Sequence, residues 1–205
     1  MTTQSMINDH HDDGHEAHQH HMDQIDIFGF WIYIMSDCLI FAALFATFIV
    51  LRDGTAGGIS MKDMIDYPYT LAETIFLLCS SFTYGMGILN SYHGKTHKVM
   101  MWLVFTIILG CCFVGMELNE FIGLHLAGHG PTSSGFLSAF FALVGTHGFH
   151  VTMGLIWMII LVIQLGIYGD SKTMQRRLTY LGLFWAFLDI VWIFVFTIVY
   201  LMGAV

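Results

Sequence analysis

A few acidic and histidine side chains interrupt the long apolar runs of this 205-residue chain. Asp37 is the one acidic or basic residue of FGFWIYIMSDCLIFAALFATFIVL, Asp189 stands in LGLFWAFLDIVWIFVF, and His147 and His150 share GFLSAFFALVGTHGFHVTMGLIW. A charge at the bilayer centre costs about 2.5 to 3.5 kcal/mol on insertion scales, so such residues point to a function by default. Asp37 must be protonated or held by a donor, and the donors nearest in depth are His147 and His150. Either state allows the carboxyl group to exchange a proton.

Three glutamates lie nearer the ends of the apolar runs. Glu73 is one turn into the second run, Glu117 ends the third, and Glu120 follows one turn later. This Glu-x-x-Glu spacing lacks the histidines of a di-iron bundle, which uses Glu-x-x-His pairs on two helices. A haem with two histidine ligands needs facing helices, whereas His147 and His150 share one run. We therefore predict no catalytic, cofactor-binding or metal-binding residue and expect the chain to assist chemistry in another chain.

Long apolar segments must position these side chains. The composition, with 56% hydrophobic and 11% charged residues, is that of a membrane protein. A spanning helix needs about 20 predominantly apolar residues, and five segments qualify: 27–51, 69–92, 99–118, 136–167 and 178–205. Both prolines fall in connections, and the continuous apolar runs lack the alternation of membrane β-strands. The sequence predicts an all-α, integral membrane bundle of five helices.

The segment before the first span, residues 1–26, is rich in charge and histidine. It includes NDHHDDGHEAHQHHMDQID, which carries six of the twelve histidines and six of the fifteen acidic residues. No fixed spacing would hold a defined geometry, so we predict a disordered, cytoplasmic tail. Metal binding by this His-rich tract is the alternative.

The connections carry an unequal share of positive charge. The side that includes the N-terminus has five Lys and Arg residues, Lys95, Lys98, Lys172, Arg176 and Arg177, and the other side has Arg52 and Lys62. Positive charge marks the cytoplasmic side. The N-terminus is therefore predicted inside and the C-terminus outside.

Small residues four apart predict where helices approach closely. Such pairs are Ser81 with Gly85, Ala42 with Ala46, Ser138 with Ala142, and Ala142 with Thr146. The spacing leaves open whether the neighbouring helix belongs to this chain.

Several runs resemble subunit III of the haem-copper terminal oxidases, and the match covers nearly everything after residue 27. They are FGFWIYIMSDCLIFAALFAT, ETIFLLCSSFTYGM, GMELNEF, GFLSAFFALVGTHGFHVTMGLIW and FLDIVWIFVFTIVYLMG. Within the family the chain is most similar to the five-helix subunit III of bacterial cytochrome o ubiquinol oxidases, through TAGG after the first span and the closing YLMG.

The resemblance implies an accessory, non-redox subunit of a proton-pumping quinol:oxygen oxidoreductase of the aerobic respiratory chain. It implies a bacterial inner membrane, in which the count of Lys and Arg predicts a periplasmic C-terminus. The partners would be catalytic subunit I with the haems and copper, subunit II, a small subunit IV, and bound phospholipid. The complex binds ubiquinol, and no nucleic acid is expected.

The resemblance also assigns roles to residues. A carboxylate at the position of Asp37 implies support of sustained proton uptake. The family's other polar or aromatic positions correspond to Glu73, Glu117, Glu120, His147, His150, Trp185 and Asp189. Where relatives commonly read Trp-His-Phe, this chain reads Trp185-Ala186-Phe187. No role of that histidine transfers to this chain.

Two alternative functions remain at this point. The first is a self-contained proton or ion carrier with Asp37, His147 and Asp189 as a relay, although neither an internal repeat nor a proline-broken span supports it. The second is subunit III of a menaquinol oxidase or a nitric oxide reductase. Co-purification with a haem-bearing subunit would distinguish an oxidase subunit from a self-contained carrier. The quinone extracted with the complex would distinguish a ubiquinol oxidase from the other members of the family.

Overall fold

The computed structural model describes residues 3–52, 54–55, 67–94, 96–128, 130–169 and 171–201, with the side chains of 3–26, 67 and 201 outside the description. Five helices follow one another: α1 Thr3–Leu51, α2 Tyr67–Tyr92, α3 Thr96–Leu126, α4 Gly135–Tyr168 and α5 Lys172–Val195. A π-helix, Phe196–Leu201, continues α5. The predicted disorder and possible metal binding of residues 1–26 stay predictions.

Each of these five helices has a segment long and apolar enough to span a membrane: Ile27–Leu51, Pro68–Tyr92, Thr96–Leu126, Gly135–Tyr168 and Lys172–Tyr200. The described residues include no strand. The predicted all-α, five-span fold is therefore confirmed, and the chain is a multi-pass membrane protein.

Some helices begin before or end after the predicted spans, because helix ends depend on capping residues and glycines as well as on hydropathy. Helix α3 continues beyond 118 to Leu126, because that stretch has no proline and the first glycine with a positive φ after it is Gly128, whose φ is 83°. Helix α5 starts before 178, because the Ser171 side chain caps it by accepting a hydrogen bond from the Met174 amide. The placement of both prolines in connections was wrong for Pro68, which lies in the first turn of α2, where proline is tolerated.

The chain comprises two compact units, residues 1–39 and residues 40–205. Within the second unit, α2 packs on α3 and α5, α3 packs on α4, and α4 packs on α5, which closes a ring of four helices. Large side chains fill the ring, and the fully buried ones include Phe113, Trp185, Trp192, Leu103, Leu143 and Met158. Burying such apolar groups fixes how the helices face one another, and so fixes the polar side chains between them.

Glycines outside the predicted pairs of small residues make close helix contacts in the described part of the chain. A Cβ on Gly110 of α3 would lie 2.7 Å from Leu155 and 3.3 Å from the Trp185 ring, and one on Gly154 of α4 would lie 3.1 Å from Trp185. By contrast, a Cβ on Gly85 would meet no atom within 4 Å. Spacing along one helix does not tell which face meets a neighbour, and of the predicted pairs only Ser81 and Thr146 are half-buried; the rest are exposed.

Candidate functional site

Asp37 lies in the described part of the first unit and is only 6% exposed. The Tyr33 hydroxyl, one turn earlier on α1, makes a hydrogen bond to its carboxyl group. Residues four apart share one helix face, so this pairing follows from helix geometry. Sequence reasoning considered only His147 and His150 as donors, although the spacing of Tyr33 was a readable signal.

Glu73, Glu117 and Glu120, predicted separately, come together in the structure. They lie at the end of the bundle where α2 begins and α3 ends. Glu73 interacts electrostatically with Glu120, and Glu117 interacts with both. Glu73 is 0% exposed and Glu117 is 3% exposed, whereas Glu120 is half-buried. These three carboxyl groups form one cluster, which we call the carboxyl cluster.

Tyr200 completes the carboxyl cluster, and sequence reasoning missed it. Its hydroxyl donates to Glu120, at 3.3 Å from Oε2 and 3.5 Å from Oε1. Tyr200 belongs to the π-helix, and π-helical turns frequently mark functional sites. No sequence signal indicated a π-helical end to α5, because its residues are as apolar as those of an ordinary span.

Two further contacts hold the carboxyl cluster in place. The Glu117 carboxyl group lies against the α-carbon of Gly148 on α4, where a Cβ would be 2.5 Å from Oε2. The Tyr69 hydroxyl donates to the Met116 carbonyl oxygen at 2.9 Å, which ties α2 to α3 beside Glu117. Helix packing therefore leaves the Glu117 side chain little freedom to move away from α4.

His147 is fully buried in α4 among aromatic rings. Its ring centroid is 5.1 Å from that of Trp192, 5.9 Å from Phe113 and 6.4 Å from Phe41. Within the described part of the chain, neither ring nitrogen has a hydrogen-bond partner. The surroundings are those of a packed core side chain.

His150 is held by its own helix. Its Nδ1 lies 2.7 Å from the carbonyl oxygen of Thr146, so Nδ1 carries the hydrogen of this bond. Its ring centroid lies 5.3 Å from that of Phe41. The two histidines of α4 therefore differ, because His150 has a polar partner within its helix, whereas the ring nitrogens of His147 have none among the described residues.

Trp185 and Asp189 connect α5 to α2. The Trp185 Nε1–H donates to Ser80 Oγ at 3.1 Å, and Asp189 interacts with Ser81. Asp189 Oδ1 has no hydrogen-bond partner among the described residues. Ala186 is exposed, so the position at which the resemblance implies a histidine lies at the surface of this chain.

A second indole repeats the α5–α2 link. The Trp192 Nε1–H donates to Thr74 Oγ1 at 3.1 Å, two turns along α5 from the Trp185 bond. Both bonds are buried, and a buried indole N–H usually needs such a partner. Together they fix the register between α5 and α2, and with it the level of Glu73.

The described residues contain no group of three or more His, Cys, Asp or Glu side chains that could hold a metal ion. The three glutamates of the carboxyl cluster lack the geometry of such a group. Carboxyl groups such as these can hold and exchange protons.

Comparisons with known proteins show which family the chain belongs to. The model of the family described as cytochrome c oxidase subunit III matches residues 3–204. Subunit 3 of the cytochrome bo(3) ubiquinol oxidase of Pseudomonas aeruginosa is 49% identical over 98% of both chains. Subunit 3 of the quinol oxidase of Bacillus spizizenii is 41% identical over 91% of both, and subunit 3 of the cytochrome c oxidase of Bacillus sp. PS3 is 40% identical over 86% of both. The chain belongs to the cytochrome c oxidase subunit III family.

Proposed function

We propose that this chain is the accessory, non-redox subunit III of a quinol:oxygen oxidoreductase of the cytochrome o ubiquinol oxidase type. The observation that carries the proposal is the full-length likeness to a subunit 3 that is named for ubiquinol oxidation. The relative named for cytochrome c is less similar, so a quinol is the better supported electron donor. Membership of the family implies a complex with catalytic subunits.

In the proposed complex, electrons pass only through the partner chains. Catalytic subunit I holds the haems and copper, subunit II and a small subunit IV complete the assembly, and ubiquinol binds to the complex. The core described here supports this division, because its buried space is occupied by aromatic and aliphatic side chains. A cofactor would need that space.

Bound phospholipid is part of the proposal. A shallow apolar groove on α3 supports it, since its lining would suit an acyl chain: His97, Met100, Met101, Val104, Phe105 and Ile108. His97 lies in the first turn of α3, so a polar side chain stands at the helix end of this apolar groove.

The proposed function is tested by purification from native membranes through an affinity tag on the N-terminus. We expect the chain to co-purify with a haem-bearing large subunit and with extractable ubiquinone, and an untagged strain is the control. Menaquinone in place of ubiquinone would favour a menaquinol oxidase, and nitric oxide reduction by the complex would favour a nitric oxide reductase. A chain that purifies without any haem protein and carries ions in vesicles would overturn the proposal in favour of the carrier.

The isolated chain is predicted to be optically silent. Purified alone in detergent, it should show no haem Soret band and no stoichiometric copper, because His147 and His150, the histidines furthest from the ends of the spans, share one helix and cannot ligate a haem from two sides. Absorption spectra and metal analysis of the purified chain measure this. One haem or one copper per chain would contradict the prediction.

The orientation of the chain is a further prediction. If the excess of Lys and Arg on one side sets the orientation, the N-terminus is cytoplasmic and the C-terminus periplasmic. A phosphatase that folds only outside the cytoplasm should be active after Val205 and inactive after Lys172. A fluorescent protein that matures only inside should show the opposite pattern, and the reverse result for both reporters would refute the orientation.

A further inference from the structure

The carboxyl cluster has no assigned role in the proposed function. Glu73 enters it from α2, and both of its carboxyl oxygens are buried without a hydrogen-bond partner in the described part of the chain. It reaches the pair Glu117 and Glu120 on α3, with which it interacts electrostatically. A fully buried, unpartnered acid from a second helix therefore points into an acidic pair.

The members of the carboxyl cluster differ in whether a neighbouring group can stabilise a negative charge on them. The ionisable groups that interact with Glu73 and Glu117 are the other carboxyl groups of the cluster. Oε1 of Glu117 also lacks a hydrogen-bond partner in the described chain. A buried carboxylate that has neither a donor nor a cation is far less favourable than the neutral acid, and like charges nearby add to the cost.

Glu120 has a different environment. It is half-buried, and the Tyr200 hydroxyl donates a hydrogen bond to its carboxyl oxygens. A donated hydrogen bond and partial solvation both stabilise an ionised carboxylate. One negative charge can therefore reside at Glu120 and not at the other two.

We infer that the carboxyl cluster is a two-proton site, in which Glu73 and Glu117 are neutral acids and Glu120 is the carboxylate held by Tyr200. Its ligand is the proton. When Glu117 passes its proton to Glu120, one O–H bond breaks as the other forms, and the net charge of the cluster stays at minus one. Glu120 is the member that exchanges with solvent, because it is the most exposed.

Three other buried or half-buried titratable groups lie on the helices that pack around the carboxyl cluster. Helix α4 contributes His147, whose ring packs on Trp192 and Phe113. Helix α5 contributes Asp189, which interacts with Ser81, and α2 contributes Tyr69, which donates to a backbone carbonyl. None of the three supplies a positive charge to Glu73 or Glu117.

Infrared spectroscopy of the assembled complex tests the two-proton site. A neutral carboxylic acid absorbs above the amide I band, and this absorption shifts to lower frequency in D2O. Glu73→Gln and Glu117→Gln should each remove the part of this absorption that belongs to one acid. Glu120→Gln is the matched control from the same cluster, and it should remove none of it. No loss in the first two variants, or a loss in the control, overturns the inference.

Thermal unfolding of the same variants gives an independent readout. Glutamine has the shape of a neutral glutamic acid, so Glu73→Gln and Glu117→Gln should melt close to the unsubstituted complex. Failure of either variant to assemble counts against the inference, since it would mean that a charge is required there. Tyr200→Phe should alter the infrared absorption of the two acids, because Glu120 then loses the hydrogen bond from Tyr200 and competes more strongly for their protons.

Discussion

Replacing Gly154 by alanine is expected to lower the stability of the chain, whereas replacing Gly115 by alanine is not. A Cβ on Gly154 would lie 3.1 Å from atoms of both the Phe184 and Trp185 rings. Trp185 cannot withdraw easily, because its Nε1–H is bonded to Ser80 and its ring also contacts Gly110. Overpacking of this kind costs about 1–3 kcal/mol.

Gly115 is the matched control for Gly154. It lies in α3, and a Cβ there would meet no atom within 4 Å. Alanine gains roughly 0.8–1 kcal/mol over glycine inside a helix, so Gly115→Ala should leave the melting temperature unchanged or raise it. Thermal unfolding of the purified chain in detergent measures both variants. An equal effect of the two substitutions would show that the Trp185 ring is not seated on Gly154.

Substituting Asp37 is expected to impair the assembled oxidase over many turnovers. Asp37→Ala should leave haem content and the initial rate of quinol oxidation nearly intact, since the redox centres of the proposed complex lie in other chains. Sustained turnover or proton pumping should fall several-fold, because a group that can exchange a proton is lost. Asp37→Asn keeps the shape and hydrogen bonding, removes the titration, and should share most of the defect.

Tyr33→Phe provides the control for Asp37. It removes the hydroxyl that bonds to Asp37 and keeps the carboxyl group, so its defect should be smaller than that of Asp37→Asn. Oxygen consumption over many turnovers, together with proton ejection in vesicles, measures all three variants. If Asp37→Asn behaves like the unsubstituted enzyme while Asp37→Ala fails to assemble, Asp37 is a structural hydrogen-bonding residue and the proton role is wrong.

The five spans were predictable because insertion into a bilayer depends on the summed hydropathy of consecutive residues, which is a local property. The ends were less predictable. Hydropathy stops at 118 while α3 continues to Leu126, and a serine cap starts α5 ahead of its apolar run. Helix ends respond to caps and to positive-φ glycines, and these act on the backbone whatever the hydropathy.

Family membership was also readable from the sequence, because its motifs are runs of consecutive residues. The same holds for the pairing of Tyr33 with Asp37, since positions four apart on a helix always share a face. Sequence reasoning overlooked that pairing, although no tertiary information was needed to find it.

Only the tertiary structure decided which polar residues meet. Depth along a helix places Glu73 and Glu117 near the ends of their spans, but it leaves undetermined the direction in which each side chain points around the helix axis. That direction is set by packing: Trp185 and Trp192 tie α5 to α2, and Gly148 admits the Glu117 carboxyl group against α4. The carboxyl cluster and its Tyr200 donor form because these contacts set the rotation of α2, α3, α4 and the π-helical end of α5 about their axes. No single segment of the sequence contains that information.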